Sequence, residues 1–254
     1  MKVPPSLAFF VPAHNEADNL EGVVARIHEY CDVAGITERT VIIVDDGSTD
    51  HTNQVVEDLR FKYGFTVVKH VVNRGYGAAL RSGLKAALAT GHDWIAFCDS
   101  DHQFDPMDTL RLFGAINTHD ADVAIGYRER RADGFGRRAT GRCWHLLSKT
   151  LLGYEARDVD CGFKLFSRQS IEAVESALIG EHATISPEIL MRLQRRGYKI
   201  VETGMPHYPR DFGEQSGVKF KVMWQSFTGL LHVYSLSRKE NTHVRHINRG
   251  HRAA

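Results

Sequence analysis

Short apolar runs alternate with amphipathic segments along the first half of the chain. Four of the runs have the length and composition of buried strands: 7–11, 41–44, 65–68 and 93–98. Between them, apolar residues recur at the spacing of a helix face, as in the set Leu20, Val23, Val24 and Ile27. Apolar strands separated by helices predict an α/β fold with a mostly parallel, Rossmann-like sheet and helices on both faces.

A polar or glycine-rich turn follows each of these strands. The turns are 14–16, 45–46, 73–77 and 99–103. Ligands of open parallel sheets bind beyond the carboxyl ends of the strands, so the four turns predict one shared site. The glycine turn is not a dinucleotide fingerprint, because it follows the third strand and lacks the third glycine at the required spacing.

Asp99 and Asp101 end the fourth apolar run. Their spacing places both side chains on one face of an extended chain. Two negative charges at such a short distance are unfavourable unless a cation lies beside them. A hard divalent metal ion prefers oxygen ligands of this kind. The alternative is a solvated turn with helix-capping aspartates, because the Asp105-Pro106 pair that follows suits a first helical turn.

Composition narrows the function classes. The chain has 254 residues, a formal net charge of +1 and 25% charged residues, so no overall basic character indicates a nucleic-acid partner. The four cysteines lack zinc or redox spacing, and the amino terminus lacks the apolar core of a signal peptide. We therefore expect a reduced, cytoplasmic protein that meets a membrane, if at all, only at its surface.

Four segments resemble, in order, the motifs of one enzyme family: 11–16 (VPAHNE), 44–50 (VDDGSTD), 73–78 (NRGYGA) and 99–103 (DSDHQ). The family is the family 2 glycosyltransferases of the GT-A fold, and the resemblance is strongest to the dolichol-phosphate and polyprenyl-phosphate mannosyltransferase branch. His14 departs from the pattern, since the family usually has Tyr there. An imidazole can still stack on a base or donate a hydrogen bond.

The resemblance implies roles at the predicted site. The residues that would line the nucleotide pocket are Pro12, His14, Glu16 and Asp46. Asp99 would face the ribose or the metal. Asp101 and Gln103 would hold Mg²⁺ or Mn²⁺ against the diphosphate, where a cation neutralises the charge that builds on the leaving group.

Residues 126–150 contain seven basic and two acidic residues. The ordinary interpretation of such a run is a solvated helix face. In the resembled branch a loop of this kind binds the diphosphate and the lipid phosphate, and Arg128 and Arg138 match its arginine positions. Nucleic acid is the competing ligand, but the run belongs to no known nucleic-acid-binding fold.

Three later features complete the resemblance. Segment 158–166 is similar to the part that closes the sugar pocket, so Asp158 or Asp160 would hold sugar hydroxyls, unless they only form a turn. Glu188 is a candidate base for a hydroxyl acceptor. The alternative is an acidic residue in the first turn of a helix that interacts favourably with the helix dipole. Segment 206–217 is similar to a loop over the diphosphate, with Arg210 as its main residue and Ser216 and Lys219 as helpers.

We expect a catalytic domain at 1–217, with a nucleotide half at 1–105 and an acceptor half at 106–217. An amphipathic helix at 218–236 follows. It either packs on the core as an ordinary terminal helix or lies in lipid headgroups with Trp224 and Tyr234 at the membrane boundary, and we favour the second because the implied acceptor is a membrane lipid. A disordered basic tail is expected at 237–254.

The sequence thus predicts an inverting, metal-dependent transferase. It would move a hexose, with mannose from GDP-mannose as the leading donor, to a polyprenyl or dolichyl phosphate at the cytoplasmic membrane face, with a membrane protein as a further partner. One alternative is a transferase of the same fold that glycosylates a hydroxyl. The alternative of another class is a nucleotidyltransferase or a non-catalytic nucleotide-sugar binder.

Overall fold

The computed structural model describes the backbone of residues 4–129, 135–210 and 220–250, and the side chains of residues 4–129, 140–210 and 223–238. Strands and helices alternate along most of this length. The strands are β1 (Ser6–Ala13), β2 (Glu38–Asp45), β3 (Thr66–Lys69), β4 (Trp94–Cys98), β5 (Val123–Arg128), β6 (Phe163–Ser167) and β7 (Ile200–Met205). The helices are α1 (Ala17–Val33), α2 (Thr52–Tyr63), α3 (Tyr76–Ala89), α4 (Thr109–His119), α5 (Phe135–Leu152), α6 (Arg168–Glu172), α7 (Ile185–Arg195) and α8 (Phe220–Gly250).

Within the described ranges the strands form one seven-stranded sheet in the order β3-β2-β1-β4-β6-β5-β7. β1, β2, β3 and β4 are parallel neighbours, as the apolar runs predicted, and β5 pairs in parallel with β7. The strand β6 runs antiparallel to both β4 and β5. The mixed α/β architecture with a mostly parallel sheet is therefore confirmed.

The central strand β1 is buried along all eight residues, because helices cover both faces of the sheet. Phe9 packs into the layer that contains α1, and Phe10 packs into the opposite layer with α3. The Phe10 ring also stacks on Phe97 of β4, with 5.2 Å between ring centroids. A Cβ atom at Gly83 would lie 2.3 Å from the Phe10 ring, so α3 needs glycine there to approach the sheet this closely.

Helix α8 packs against the second half of the fold through Leu230 and Val233, which are buried with residues of α7. Thr184 Oγ1 donates to the carbonyl of Ser226 at 3.3 Å. The helix continues to Gly250 and so passes position 236, where the sequence analysis ended it. Most of the segment predicted as a disordered tail is thus helical. None of the helices in the described part of the chain has the length and hydropathy of a membrane-spanning segment.

Candidate active site

The carboxyl ends of β1, β2 and β4 lie side by side and carry the polar turns. Ala13 pairs with Asp45 in adjacent strands, and Asp46 N donates to the carbonyl of Ala13 at 2.8 Å. Pro12 is buried in β1 opposite Val44. His14 Nδ1 lies 3.0 Å from the carbonyl oxygen of Asp46. The first two predicted turns therefore meet at one edge of the sheet.

Asp46 is buried and held by the third turn. Its Oδ1 accepts from His70 Nδ1 at 2.6 Å and from Arg74 N at 2.9 Å, and its Oδ2 accepts from Gly75 N at 2.8 Å. A carboxylate offers about four lone-pair positions, so these contacts leave one on Oδ2. Asp46 can thus still accept one hydrogen bond from a ligand.

Arg210 joins the amino-terminal turn to the fourth strand. It forms a short ion pair with Glu16 Oε1, and its Nη1 lies 3.7 Å from Asp101 Oδ2. Glu16 Oε2 also accepts from Asn19 Nδ2 at 2.5 Å. Burial raises the pKa of Glu16 above its ordinary value, while Asn19 and Arg210 oppose that shift. The structure therefore brings two of the predicted site residues, Glu16 and Asp101, to the guanidinium group of a third, Arg210.

Asp99 lies deeper in the same site. Its Oδ1 accepts from the hydroxyl of Tyr76 at 2.9 Å, and its backbone N donates to the carbonyl of Gly162 at 3.0 Å. Burial, and then the neighbouring Asp101, raise the pKa of Asp99 to about 7. A Cβ atom at Gly162 would overlap the Asp99 carboxylate, so only glycine fits beside it. A cation in the site would favour the ionised form of this carboxylate.

Gln103 connects the end of β4 to segment 206–210. Its backbone N donates to Asp101 Oδ1 at 3.1 Å, and its Nε2 lies 3.5 Å from the carbonyl of Tyr208. Tyr208 N in turn donates to the carbonyl of Gln103 at 3.0 Å. Gln103 therefore orients Asp101 and holds the segment that carries Arg210.

Arg128 and Asp158 form a bidentate ion pair. The Nε–Oδ2 and Nη2–Oδ1 distances are 2.6 Å and 2.7 Å, and both side chains are largely buried. Arg128 was predicted to contact phosphate. In this structure its guanidinium binds Asp158, the first residue of segment 158–166, which resembles the part that closes the sugar pocket. Burial, and then the charge of Asp158, raise the pKa of the half-buried Asp160 to about 6. Of the two aspartates predicted to hold sugar hydroxyls, Asp158 therefore has both carboxylate oxygens bonded to Arg128.

Glu188, the candidate base of the sequence analysis, is fully buried near the start of α7, where its carboxylate is held by the chain itself. Its Oε2 accepts from Gly180 N at 2.6 Å and from Ile179 N at 3.1 Å, while its Oε1 accepts from Arg192 Nε at 2.8 Å. A carboxylate engaged in this way supports the fold of the 179–180 turn and is inaccessible to a substrate.

Several residues of the site were given no role in the sequence analysis, although Asp45 and Tyr76 lie in its predicted turns. Asp45 is buried, and its Oδ2 has no hydrogen-bond partner among the described residues. Tyr76, directly after the glycine turn, donates to Asp99. Lys164 is only 1% exposed, and its Nζ donates to the carbonyl of Cys161 at 2.5 Å. A lysine within an apolar strand was the available signal for Lys164. The side chain of Arg138, and Ser216 and Lys219, lie outside the described residues.

The oxygen donors of the site supply some of the ligands that a magnesium-type cation needs. Within the described ranges, no three His, Cys, Asp or Glu side chains are arranged to hold a metal ion. Asp99 and Asp101 are two carboxylates, and Mg²⁺ is usually held by one or two carboxylates together with substrate phosphates and water. The donor set therefore fits a divalent cation that binds together with a diphosphate.

The chain is similar in sequence to known transferases. The chain is 28% identical over 219 residues to polyprenol monophosphomannose synthase of Mycolicibacterium smegmatis, covering 80% of this chain and 77% of that protein. It is also 28% identical over 206 residues to undecaprenyl-phosphate 4-deoxy-4-formamido-L-arabinose transferase of an Enterobacter species, covering 80% of this chain and 60% of the relative.

A solved structure shares the fold. Glucosyl-3-phosphoglycerate synthase from Mycobacterium tuberculosis, crystallised with Mn²⁺, UDP and phosphoglyceric acid, superimposes with a TM-score of 0.69 at 21% identity. The match covers 91% of this chain and 78% of that one. The sequence profile described as "Glycosyl transferase family 2" matches residues 8–175. The chain therefore belongs to glycosyltransferase family 2 and has the GT-A fold.

Proposed function

We propose that this glycosyltransferase moves a hexose from a nucleoside diphosphate sugar to a polyprenyl phosphate, with inversion at the sugar carbon. The observation that carries the proposal is the cluster of Glu16, Arg210, Asp101 and Asp99 at the edge of the sheet. A guanidinium group among carboxylates matches a ligand that carries both a diphosphate and a cation. The names of the two relatives support a lipid phosphate as the acceptor.

The proposed roles follow from the contacts. Asp46 accepts a hydrogen bond from the base through the remaining position on Oδ2, and His14 and Pro12 line the pocket. Asp101 and Asp99 would hold Mg²⁺ or Mn²⁺, which supplies charge neutralisation at the departing diphosphate. Arg210 contacts the same diphosphate. Arg128 holds Asp158 beside the sugar, and Asp160 accepts from a sugar hydroxyl.

The burial of Glu188 favours a phosphate acceptor over a hydroxyl acceptor. A hydroxyl needs a base within hydrogen-bond reach, and both oxygens of Glu188 are occupied by the chain itself. A phosphomonoester is largely ionised at neutral pH, because its second pKa is about 6, and it attacks without such a base. This argument supports the lipid phosphate as acceptor. The name of one relative supports mannose as the sugar. The guanosine nucleotide is proposed only from the resemblance of the sequence motifs.

A membrane surface is the proposed location of the acceptor, and the cytoplasmic face is the side where a nucleotide sugar is available. Helices α5 and α8 expose large apolar side chains, including Leu146 at 67% and Trp224 at 60%. Residues 135–152 and 220–238 contain no Asp or Glu. An apolar and basic helix surface of this kind suits the headgroup region of an anionic bilayer.

The test is a transfer assay with a panel of nucleotide sugars, Mg²⁺ or Mn²⁺, and polyprenyl phosphate in detergent. We expect label from one donor to enter the organic phase, and we expect the Asp101→Asn variant to release none there. A parallel reaction with polyprenol in place of its phosphate distinguishes a hydroxyl acceptor. Label that stays in the aqueous phase with every donor would refute the proposal.

A further inference from the structure

Three hydrogen-bonded side chains, Asp46, His70 and Ser82, form a relay beside the site, in which Asp46 and His70 are buried and Ser82 is half-buried. His70 directly follows β3 and is only 6% exposed. Its Nδ1 lies 2.6 Å from Asp46 Oδ1, and its Nε2 lies 2.9 Å from the hydroxyl oxygen of Ser82 on α3. Because Oδ1 is a carboxylate acceptor, the ring must carry a proton on Nδ1, and this fixes the orientation of the imidazole.

The relay connects two elements of the site that are distant in sequence. Asp46 also accepts from the backbone N–H groups of Arg74 and Gly75, so it fixes the glycine turn from which α3 begins. The next residue, Tyr76, donates to Asp99. His70 itself is anchored through its backbone N, which donates to the carbonyl of Asp45 at 2.9 Å.

Three of the four acceptor positions of Asp46 are thereby used within the chain, and the His70 contact fixes the rotation of the carboxylate. Without His70, the buried carboxylate would lose a charge-assisted hydrogen bond and could turn within the site. Such bonds are shorter and about twice as strong as neutral ones. The orientation of Oδ2 toward a ligand therefore depends on His70.

We propose that the Ser82–His70–Asp46 relay is a positioning device for the base of the nucleotide donor. It holds Asp46 so that Oδ2 presents one acceptor to a ring N–H group, such as those of uracil or guanine. The inference rests on the proposed function, since it assumes that Asp46 meets the base. His70 and Ser82 act through Asp46 and touch no substrate.

The test measures binding of two ligands to the full chain by calorimetry in the presence of Mn²⁺. The first ligand is a nucleoside diphosphate, GDP or UDP, and the second is inorganic pyrophosphate, which has no base. We expect His70→Phe to weaken nucleoside diphosphate binding roughly tenfold and to leave pyrophosphate binding unchanged. In the transfer assay, KM for the donor should rise by the same factor while kcat stays close to wild type.

Three further variants sharpen the test. His70→Gln restores an N–H donor to Asp46 and should recover part of the lost affinity, and Ser82→Ala should cause a smaller loss than His70→Phe. The matched control is His92→Phe, because His92 also bonds a side chain, Thr40, at 2.9 Å, but it precedes β4 at the opposite edge of the sheet. This control should bind both ligands as wild type does.

Equal loss of nucleotide and pyrophosphate binding in His70→Phe would overturn the relay, because the effect would not depend on the base. Unchanged nucleotide binding in a folded His70→Phe protein would overturn it as well. A wild-type chain that binds pyrophosphate but neither nucleotide would instead refute the proposed donor and the relay with it. These outcomes separate failure of the relay from failure of the proposed function.

Discussion

At the carboxyl ends of β1, β2 and β4, charged side chains are buried and held by distant parts of the chain, whereas α5 and α8 present large apolar side chains to solvent. Asp46 accepts hydrogen bonds from residues 24 to 29 positions away in the sequence. On the outer helices, Leu146 and Trp224 are more than half exposed. The donor side is therefore preorganised for a small polar ligand, and the outer helices form a surface for a large and less specific one.

The largest effect on the donor side is expected at Asp101. We expect Asp101→Asn to lower kcat by about 10³-fold, because an electrostatic stabiliser of the leaving group is removed. Thermal stability should be unchanged or higher, since Asn relieves the repulsion between Asp101 and the neighbouring Asp99. The measurement pairs initial rates of transfer with thermal unfolding. Asp108→Asn is the control, because Asp108 lies seven residues further along the chain and pairs with Arg111. Near-normal turnover in Asp101→Asn would remove Asp101 from the metal site.

Glu188 provides the opposite kind of test, because its contacts belong to the fold. We expect Glu188→Gln to lower the free energy of unfolding by about 3 kcal/mol, since a neutral amide replaces the buried carboxylate that accepts from Arg192 Nε and from the 179–180 backbone. Turnover per folded molecule should stay near wild type at a temperature below the transition. The double variant Glu188→Gln, Arg192→Met should regain part of the lost stability in urea titrations. A large fall in kcat with unchanged stability would restore Glu188 as a catalytic base.

The half-buried carboxylate of Asp99 makes the donor side sensitive to pH. Its pKa in the folded protein is raised to about 7, whereas an Asp in an unfolded chain titrates near about 3.9. Between these values the folded state binds more protons than the unfolded state, so the stability of the metal-free protein falls as the pH rises through this range.

We therefore expect the thermal midpoint of the metal-free protein to fall by about 2–4 °C more between pH 5 and pH 8 in wild type than in Asp99→Asn. The difference between the two proteins isolates Asp99 from Asp160, whose pKa is raised to about 6. Addition of Mn²⁺ at pH 8 should raise the midpoint of wild type more than that of the variant. Parallel pH profiles for the two proteins would contradict the raised pKa.

The fold of the donor side could be predicted from the sequence further than its side-chain contacts. The strands β1 to β4 and the polar turns after them were predicted correctly, because buried parallel strands are continuous apolar runs and each run has a defined end. The antiparallel insertion of β6 between β4 and β5 was not predicted, since strand direction depends on tertiary pairing. The length of α8 was also underestimated, because its apolar stripe ends before the helix does.

Individual side-chain partners were the least predictable part of the site. Asp46 was identified by its position after β2, but nothing near it in sequence indicates that His70 and the glycine turn bind it. Glu188 has the local signature of an acidic residue in the first turn of a helix. Its burial arises from the 179–180 turn, which folds back over it. Residues that meet only in the folded chain leave no periodic signal.

The smallest expected effect concerns the outer helices. Trp224→Ser and Leu146→Ser should each weaken binding to vesicles of phosphatidylcholine and phosphatidylglycerol roughly tenfold, because each removes apolar surface that the bilayer would bury. Transfer to a soluble short-chain polyprenyl phosphate should be unaffected, which separates membrane binding from chemistry. Phe61→Ser on α2 is the matched control, since Phe61 is 99% exposed on a different helix. Equal losses in all three variants would show that exposed apolar area in general, and not the α5 and α8 surface, holds the protein on the vesicle.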